Sequence, residues 1–287
     1  EFDYIISNPP FGIDWKREKD AIEREAKLGY AGRFGPGLPS ISDGQMLFML
    51  NGVKKLKEGS GRMAIIQNGS SLFTGDAGCG PSEIRRYLIT EDLVEAIVQL
   101  PTDLFYNTGI ATYIWVISKG KSEQRKGKLQ LIDASKCFVK RRKNIGNKRV
   151  DLDDKCIRMI VSAYNDFENR SYEEGALSVE SKVFDNDFFG FTKVAVETPV
   201  CDEAGKPILK KGKPQPDKTK SDSEIIPLSE NIDDYFAANV LPYNPLAYMD
   251  RSKDKIGYEV PFTRLFYKFT PPRSADEIFA EFKSLSE

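Results

Sequence analysis

Residues 3–11 read Asp-Tyr-Ile-Ile-Ser-Asn-Pro-Pro-Phe, an apolar strand that runs directly into Asn8, Pro9, Pro10 and Phe11. The side-chain oxygen of Asn8 accepts hydrogen bonds, and the Pro9 carbonyl offers a second acceptor. Pro9 and Pro10 have fixed φ angles and no N–H, and each biases the preceding residue towards extended geometry. The two acceptors are therefore held outward, beside a Phe11 ring that can stack on a planar base.

This arrangement predicts methylation of an exocyclic amino nitrogen. The amine of adenine is a poor nucleophile because its lone pair is delocalised into the ring. Two acceptors aimed at its two hydrogens draw the nitrogen towards tetrahedral geometry, so the lone pair can attack a methyl group carried by sulfur. Such catalysis depends on orientation and electrostatics. The alternative interpretation is a Pro-Pro turn that closes a buried strand, with Asn8 as a turn residue and Phe11 in the core.

Composition narrows the chemistry further. The chain has 287 residues, no histidine and a formal net charge of −1. His-dependent triads and His-ligated metals are therefore excluded, and we expect no bound metal. The cysteines lack paired spacing and are expected to be reduced thiols: Cys79, Cys137, Cys156 and Cys201. No apolar run approaches the roughly 20 residues of a membrane span, and no secretory leader is present, so we expect a cytoplasmic protein.

The first 135 residues alternate between strand and helix patterns. Strands are predicted at 4–7, 63–67, 93–100, 112–118 and 128–133, and helices at 15–27, after a Ser42-x-x-Gln45 capping box, and after a Ser82 cap. We infer the second half of a doubly wound Rossmann-like sheet, an α/β fold with its ligand crevice at the carboxyl ends of the strands. Gly29–Ser40 is rich in glycine and proline and is predicted to be a mobile loop, either a cover for a substrate or an ordinary surface loop.

The character of the chain changes after residue 136. Between residues 136 and 149 there are seven cations and no acid, and the candidates for DNA-backbone contact are Lys140, Arg141, Arg142, Lys143, Lys148 and Arg149. A solvated linker is the alternative for this stretch. Residues 197–226 predict an exposed excursion, either disordered or a β-ribbon hinged at Gly205 and Gly212.

Residues 1–135 resemble the catalytic domain of bacterial adenine-N6 DNA methyltransferases. The chain as a whole resembles the methylation subunit of type I restriction–modification systems. The resemblance is carried by Asp3–Phe11 and by residues 43–57, 61–66, 82–88, 93–105, 107–112 and 250–264.

The resemblance implies S-adenosylmethionine-dependent methylation of adenine N6 in DNA, after the base is flipped out. It assigns Asn8, Pro9, Pro10 and Phe11 to catalysis, Phe11 and Phe105 to stacking on the base, and Asn8 also to the cofactor. It further implies two regions, a partial catalytic domain at 1–135 and a DNA- and partner-binding region at 136–287. The implied partners are DNA, a specificity subunit that supplies the target sequence, and a restriction subunit.

In the resembled family, the glycine-rich turn and the acidic residue that bind the cofactor precede the Asn-Pro-Pro-Phe strand. We therefore expect a C-terminal fragment that starts at this motif, binds S-adenosylmethionine weakly or not at all, and is inactive alone. Two alternatives stay open from the sequence. One is methylation of guanine N2 in RNA or of glutamine in a protein, and the other is a non-catalytic assembly or DNA-contact module.

Overall fold

Apolar runs separated by glycine- and proline-containing turns form the secondary structure of the chain. The computed structural model describes residues 1–210, 212–269 and 271–286. Within them the strands are β1 (Tyr4–Ser7), β2 (Arg62–Asn68), β3 (Val94–Gln99), β4 (Thr112–Ser118), β5 (Lys128–Asp133), β6 (Val139–Ile145), β7 (Lys148–Asp151), β8 (Arg170–Glu174), β9 (Leu177–Asp185), β10 (Gly190–Glu197), β11 (Leu209–Lys210), β12 (Lys213–Pro214), β13 (Asp222–Pro227) and β14 (Tyr248–Tyr258). The α-helices are α1 (Lys19–Ala26), α2 (Gln45–Lys55), α3 (Ser70–Phe73), α4 (Gly80–Thr90), α5 (Asp154–Asp166), α6 (Ile232–Asn239), α7 (Phe262–Phe266) and α8 (Ala275–Ser286).

A mixed sheet with the order β1-β2-β4-β3-β5-β9-β8 forms the centre of the fold. The pairs β1–β2 and β3–β5 are parallel, whereas β4 and β9 run antiparallel to both of their neighbours. Five strands therefore point one way and two the other. The predicted α/β class is confirmed, and β8 and β9 are additions that the sequence did not reveal.

Helices cover both faces of this sheet, as a doubly wound fold requires. Ile97 and Leu131 belong to the hydrophobic cluster that contains the buried residues of α2 and α4. Their neighbours Val98 and Ile132 belong to a second cluster, with the buried residues of α5. Because successive strand residues point to opposite faces, the two clusters lie on the two sides of the sheet.

The second half of the chain adds smaller sheets. Strands β13, β10 and β14 form a three-stranded antiparallel sheet. The excursion contains the two-stranded ribbon β11–β12, and both Gly205 and Gly212 have positive φ, so the ribbon alternative is the observed one. Strands β8 and β9 lie in the second predicted region, yet they extend the sheet of the first. The division into regions 1–135 and 136–287 stays a prediction.

Strand β14 is attached to helix α4 by two buried side chains. The guanidinium of Arg85 donates to the carbonyls of Tyr258 (2.6 Å), Ser71 (3.2 Å) and Thr74 (3.0 Å). Burial lowers the pKa of Arg85 to about 10. The Ser82 hydroxyl accepts a hydrogen bond from the Tyr258 amide at 3.0 Å. Arg85 therefore gives three carbonyls the hydrogen bonds that water would otherwise provide, at the place where strand β14 packs against helix α4.

Two predicted helix caps are wrong. Helix α4 begins at Gly80 after Cys79, and Ser82 lies inside it, bonded to β14. Helix α2 begins at Gln45 after Gly44, without a side-chain cap. Tertiary hydrogen bonds instead use Ser82, which is bonded to β14, and Gln45 of the predicted capping box, which is bonded to Asn68.

Replacing Arg85 by methionine should lower the free energy of unfolding by about 3 kcal/mol or more. The substitution removes the hydrogen bonds to the buried carbonyls of Tyr258 and Ser71 and to the carbonyl of the exposed residue Thr74, and each unsatisfied buried group costs about 1–3 kcal/mol. Urea denaturation measures the effect. The control is Arg86→Met on the same helix, because Arg86 is exposed and its side chain pairs with Glu83 at the surface, at 3.4 Å. Its effect should stay within about 0.5 kcal/mol, and equal effects for the two variants would contradict the role of Arg85.

Candidate active site

The topology of the sheet brings two chain segments to the same end of the sheet, at the carboxyl ends of the strands β1 and β2. Strand β1 ends at Ser7, and Ser7 is paired with Ile65 of the parallel strand β2. At the far end of β2, Asn68 is paired with Thr112, the first residue of the antiparallel strand β4. The turn that follows β1 and the loop of residues 101–111 that precedes β4 therefore meet at the carboxyl ends of β1 and β2.

A cleft of about 620 Å³ lies between these two segments. Its wall is formed by Asn8, Pro9, Pro10, Phe11, Phe105, Tyr106, Asn107, Thr108 and Ile110. Asn8 is exposed and Phe11 is half-buried, so neither lies in a sealed interior. The structure thus brings together the four residues predicted from the motif and the aromatic residue Phe105 predicted from the later loop.

The hydrogen-bond acceptors of the motif are free. Within the described residues, neither the Asn8 carboxamide nor the Pro9 carbonyl has a hydrogen-bond partner in the protein. Most polar groups of a folded protein are paired with protein atoms or water. Two unpaired acceptors at the rim of a cleft are therefore available to a bound amino group, although their catalytic roles stay predictions.

The loop of residues 101–111 forms the opposite wall. Its base is closed by a hydrogen bond from the Leu100 amide to the Thr112 carbonyl, at 2.8 Å. Phe105 packs against the hydrophobic cluster below, whereas Tyr106 is exposed at the cleft. Sequence reasoning proposed Phe105 but missed the other residues of this wall: Tyr106, Asn107, Thr108 and Ile110. The sequence feature that could have identified them is their position in the loop between two predicted strands, at the end of the sheet where the first strand ends and the second begins.

A polar network fixes the end of β2 beside this cleft. The buried Gln45 amide nitrogen donates to Asp43 Oδ2 (2.9 Å) and Asn68 Oδ1 (2.8 Å), and Gln45 Oε1 accepts from the Asn68 backbone amide (3.1 Å). The Ser70 hydroxyl adds hydrogen bonds to Asp43 and Asn68. The network holds α2 and β2 in a fixed relation, and it was not recognised in the sequence.

The glycine-rich loop of residues 29–40 is packed, so the prediction of a mobile loop is wrong. Arg33 and Glu25 form a bidentate pair, with Nε–Oε1 at 2.6 Å and Nη2–Oε2 at 2.5 Å. Phe34 is buried, and Trp15 Nε1 donates to the Ser40 carbonyl at 2.9 Å. A segment held at three points is unsuited to closing over a substrate.

The predicted DNA-backbone residues lie on the hairpin β6–β7, so the linker alternative is wrong. Two of them, Arg141 and Lys148, form ion pairs with Asp151. The others are exposed and have no ion pair within the described residues: Lys140, Arg142, Lys143 and Arg149.

The described residues also bear on metal sites, membrane-spanning helices and disulfides. Among the described residues, no group of three or more cysteine, aspartate or glutamate side chains is arranged to hold a metal ion. None of the described helices combines the length and apolar composition that a membrane crossing requires. The four cysteines are free thiols.

Comparison with known proteins identifies the family. The sequence profile described as N-6 DNA Methylase matches residues 1–202. The chain belongs to the N-6 DNA methylase family. Within this family, it is 32% identical over 165 residues to the type I restriction enzyme MpnII methylase subunit of Mycoplasma pneumoniae, covering 57% of this chain and 28% of the relative. It is 29% identical over 179 residues to the MjaVII methylase subunit of Methanocaldococcus jannaschii, covering 59% and 28% of the two chains.

A solved structure of the same kind supports the N-6 DNA methylase fold. The type I restriction-modification methyltransferase subunit from Streptococcus thermophilus superposes with a TM-score of 0.52 at 26% identity, covering 65% of this chain and 34% of that one. The predicted resemblance to type I methylase subunits and the predicted methyltransferase fold are confirmed. The chain spans under a third of the length of the curated relatives that it matches.

The Arg33–Glu25 pair makes stability depend on pH. The hydrogen bonds from Arg33 hold the pKa of the Glu25 carboxyl below its ordinary value of 4.5. This stabilisation is present above the unfolded pKa and is lost as the pH falls through the folded one. Glu25→Gln should therefore lower the free energy of unfolding at pH 7, and the difference from wild type should narrow as the pH falls below about 4.5.

Denaturation curves at several pH values measure this difference. The control is Glu23→Gln, because Glu23 is exposed and lies 3.7 Å from Lys19. A difference between wild type and Glu25→Gln that stays constant with pH would show that the pair does not hold the loop.

Proposed function

We propose that the full-length protein transfers a methyl group from S-adenosylmethionine to N6 of adenine in DNA, as the modification subunit of a type I restriction–modification system. One observation carries the proposal: two unpaired acceptors, on Asn8 and Pro9, border a cleft that also contains Phe11 and Phe105. Membership of the N-6 DNA methylase family supports the substrate class. DNA as substrate implies the compartment of the chromosome, which is the cytoplasm in bacteria and archaea.

The cleft residues act by positioning the base. Adenine must leave the helix to reach the cleft, at a cost of a few kcal/mol. Stacking on Phe11, with Phe105 on the opposite wall, offsets this cost by about 1–3 kcal/mol per aromatic contact. Asn8 Oδ1 and the Pro9 carbonyl then accept the two N6 hydrogens. The lone pair of N6 is thereby directed towards the methyl donor.

The cleft fits the reacting end of the cofactor. When bound, S-adenosylmethionine supplies an electrophilic methyl group on a positively charged sulfur. The described residues that line the cleft include no lysine or arginine, so no cation forms part of the wall that this charge would face. Asn8, at the end of β1, is the residue of this lining that would help to hold the reacting end of the cofactor. The cleft lining offers no carboxylate for the ribose, so this fit concerns the reacting end alone.

The proposal also assigns roles to the two regions. Residues 1–135 belong to the catalytic domain, and residues 136–287 contact DNA and the other subunits. Helix α8 presents exposed apolar side chains at Ile278, Phe279 and Leu285. Such an apolar surface is typical of protein interfaces, and we assign it to the specificity subunit. The restriction subunit would join the same assembly.

Asn8→Ala in the full-length protein should reduce methylation by about 100-fold or more, the scale seen when one preorganised polar group is removed from an active site. DNA binding should be nearly unchanged, because the contact proposed between Asn8 and DNA is limited to the flipped base. Mass spectrometry of the digested DNA measures N6-methyladenine. Asn239→Ala, outside the cleft, is the control. Normal turnover by Asn8→Ala would show that Asn8 has no role in the mechanism. Methylated guanine or glutamine as the product would contradict adenine in DNA as the substrate.

Introducing glutamates at Ile278 and Phe279 should reduce co-purification of the specificity subunit by at least about 10-fold, because charge is disfavoured in an apolar interface. Binding is measured by affinity capture of the tagged specificity subunit. The control introduces glutamates at Ile208 and Leu209, which are also adjacent and exposed but lie on the excursion. Unchanged capture by the α8 variant would place the contact elsewhere.

A further inference from the structure

The hairpin β6–β7 has two groups of cations with different surroundings. Arg141 and Lys148 both contact Asp151, Lys148 at 2.9 Å, and brace the hairpin internally. The other cations extend into solvent without an ion pair among the described residues: Lys140, Arg142, Lys143 and Arg149. In a chain of formal net charge −1, this is a local concentration of uncompensated positive charge.

The hairpin is bonded directly to the loop that forms one wall of the cleft. The Asn147 amide donates to the Tyr106 carbonyl at 2.9 Å, and the amides of Arg149 and Val150 donate to the Asp103 carbonyl at 2.8 and 3.3 Å. The Lys148 ammonium also lies 5.3 Å from the centre of the Tyr106 ring. The position of the hairpin therefore sets the position of this wall.

The turn of the hairpin allows this contact only with glycine. Gly146 has a φ of +58°, and a Cβ at this position would lie 2.6 Å from the Tyr106 carbonyl oxygen. Such a distance is shorter than any normal contact and involves backbone, which cannot move aside without shifting the wall. Gly146 thus packs directly against the backbone of the cleft wall.

We propose that the hairpin β6–β7 binds the sugar–phosphate backbone of the target strand beside the flipped adenine, through Lys140, Arg142, Lys143 and Arg149, while its turn holds the Phe105–Tyr106 wall against the base. The proposal deepens the proposed function and rests on it. A flipped nucleotide stays attached to its own phosphates, so the backbone must pass the mouth of the cleft. Uncompensated cations next to that mouth are placed to bind it.

The first test removes the charge. In the full-length protein assembled with the specificity subunit, the four free cations of the hairpin are replaced by glutamine. Fluorescence anisotropy with a duplex that contains the target site then gives the affinity at several salt concentrations. The slope of log affinity against log salt should become shallower by about 3–4, since each phosphate contact contributes about 0.9 in duplex DNA. Affinity for an unrelated duplex should fall by a similar factor, because phosphates carry no sequence information.

The matched control replaces four lysines of the excursion by glutamine: Lys206, Lys210, Lys213 and Lys218. It changes the net charge equally, and its slope should match wild type. A wild-type slope in the hairpin variant, or an equal change in both variants, overturns the proposal. DNA binding that depends on the hairpin but is accompanied by no adenine methylation would instead overturn the proposed function and leave the hairpin contact standing.

The second test separates the wall from the charge. Gly146→Val keeps every cation but forces the turn away from Tyr106. With 2-aminopurine at the target position, we expect the fluorescence increase on binding to fall at least about 5-fold, with an unchanged salt slope. Gly175→Val is the control, because Gly175 also has positive φ (+63°), in the turn between β8 and β9, but a Cβ there has no neighbour within 4 Å. Equal effects of the two variants, or normal fluorescence in Gly146→Val, would overturn the role of the turn.

Discussion

The proposed chemistry depends on two hydrogen-bond acceptors at the end of β1 that have no protein partner among the described residues. A carboxamide and a carbonyl normally find partners within the protein, yet those of Asn8 and Pro9 find none among the described residues. The two prolines make this possible because they donate no N–H and hold the chain extended. The position of Asn8 and Pro9 beside the open cleft leaves both acceptors available, under the proposed function, to the amino group of a base. The turn after β1 and the loop of residues 101–111 form the walls of the cleft around these two atoms, and the hairpin β6–β7 is bonded to that loop.

Local sequence patterns were sufficient to predict secondary structure where a single stretch of the chain determines it. Strands β1, β4 and β5 occur at the predicted residues, because apolar runs with β-branched side chains suit buried strands. Prediction failed where the partner is distant in sequence. Ser82 resembles a helix cap, but its hydroxyl is bonded to Tyr258, 176 residues away. The hairpin β6–β7 was missed as a strand pair because its residues are mostly charged and lie at an exposed surface.

The candidate site shows the same division. The residue types of Asn8–Phe11 are specific enough to indicate a chemistry, so these residues could be predicted from the sequence. Tyr106 and its neighbours have ordinary side chains and become relevant only because β4 reverses the chain beside β2. The loop of residues 29–40 was misjudged because glycine was taken as a sign of flexibility. A Cβ on Gly35 would lie 2.1 Å from the Gly29 carbonyl oxygen, so this glycine serves close packing instead.

The chemical make-up of the cleft lining has a consequence for proton handling. No carboxylate, thiol or amine is among the lining residues, and the chain has no imidazole. Under the proposed function, the nitrogen is strongly acidic once the new carbon–nitrogen bond has formed, and its surplus proton would leave to water at the open mouth of the cleft. Water is a sufficient acceptor for so acidic a group. Under the proposed function, the described lining of this cleft would therefore contribute no titrating side chain to the reaction.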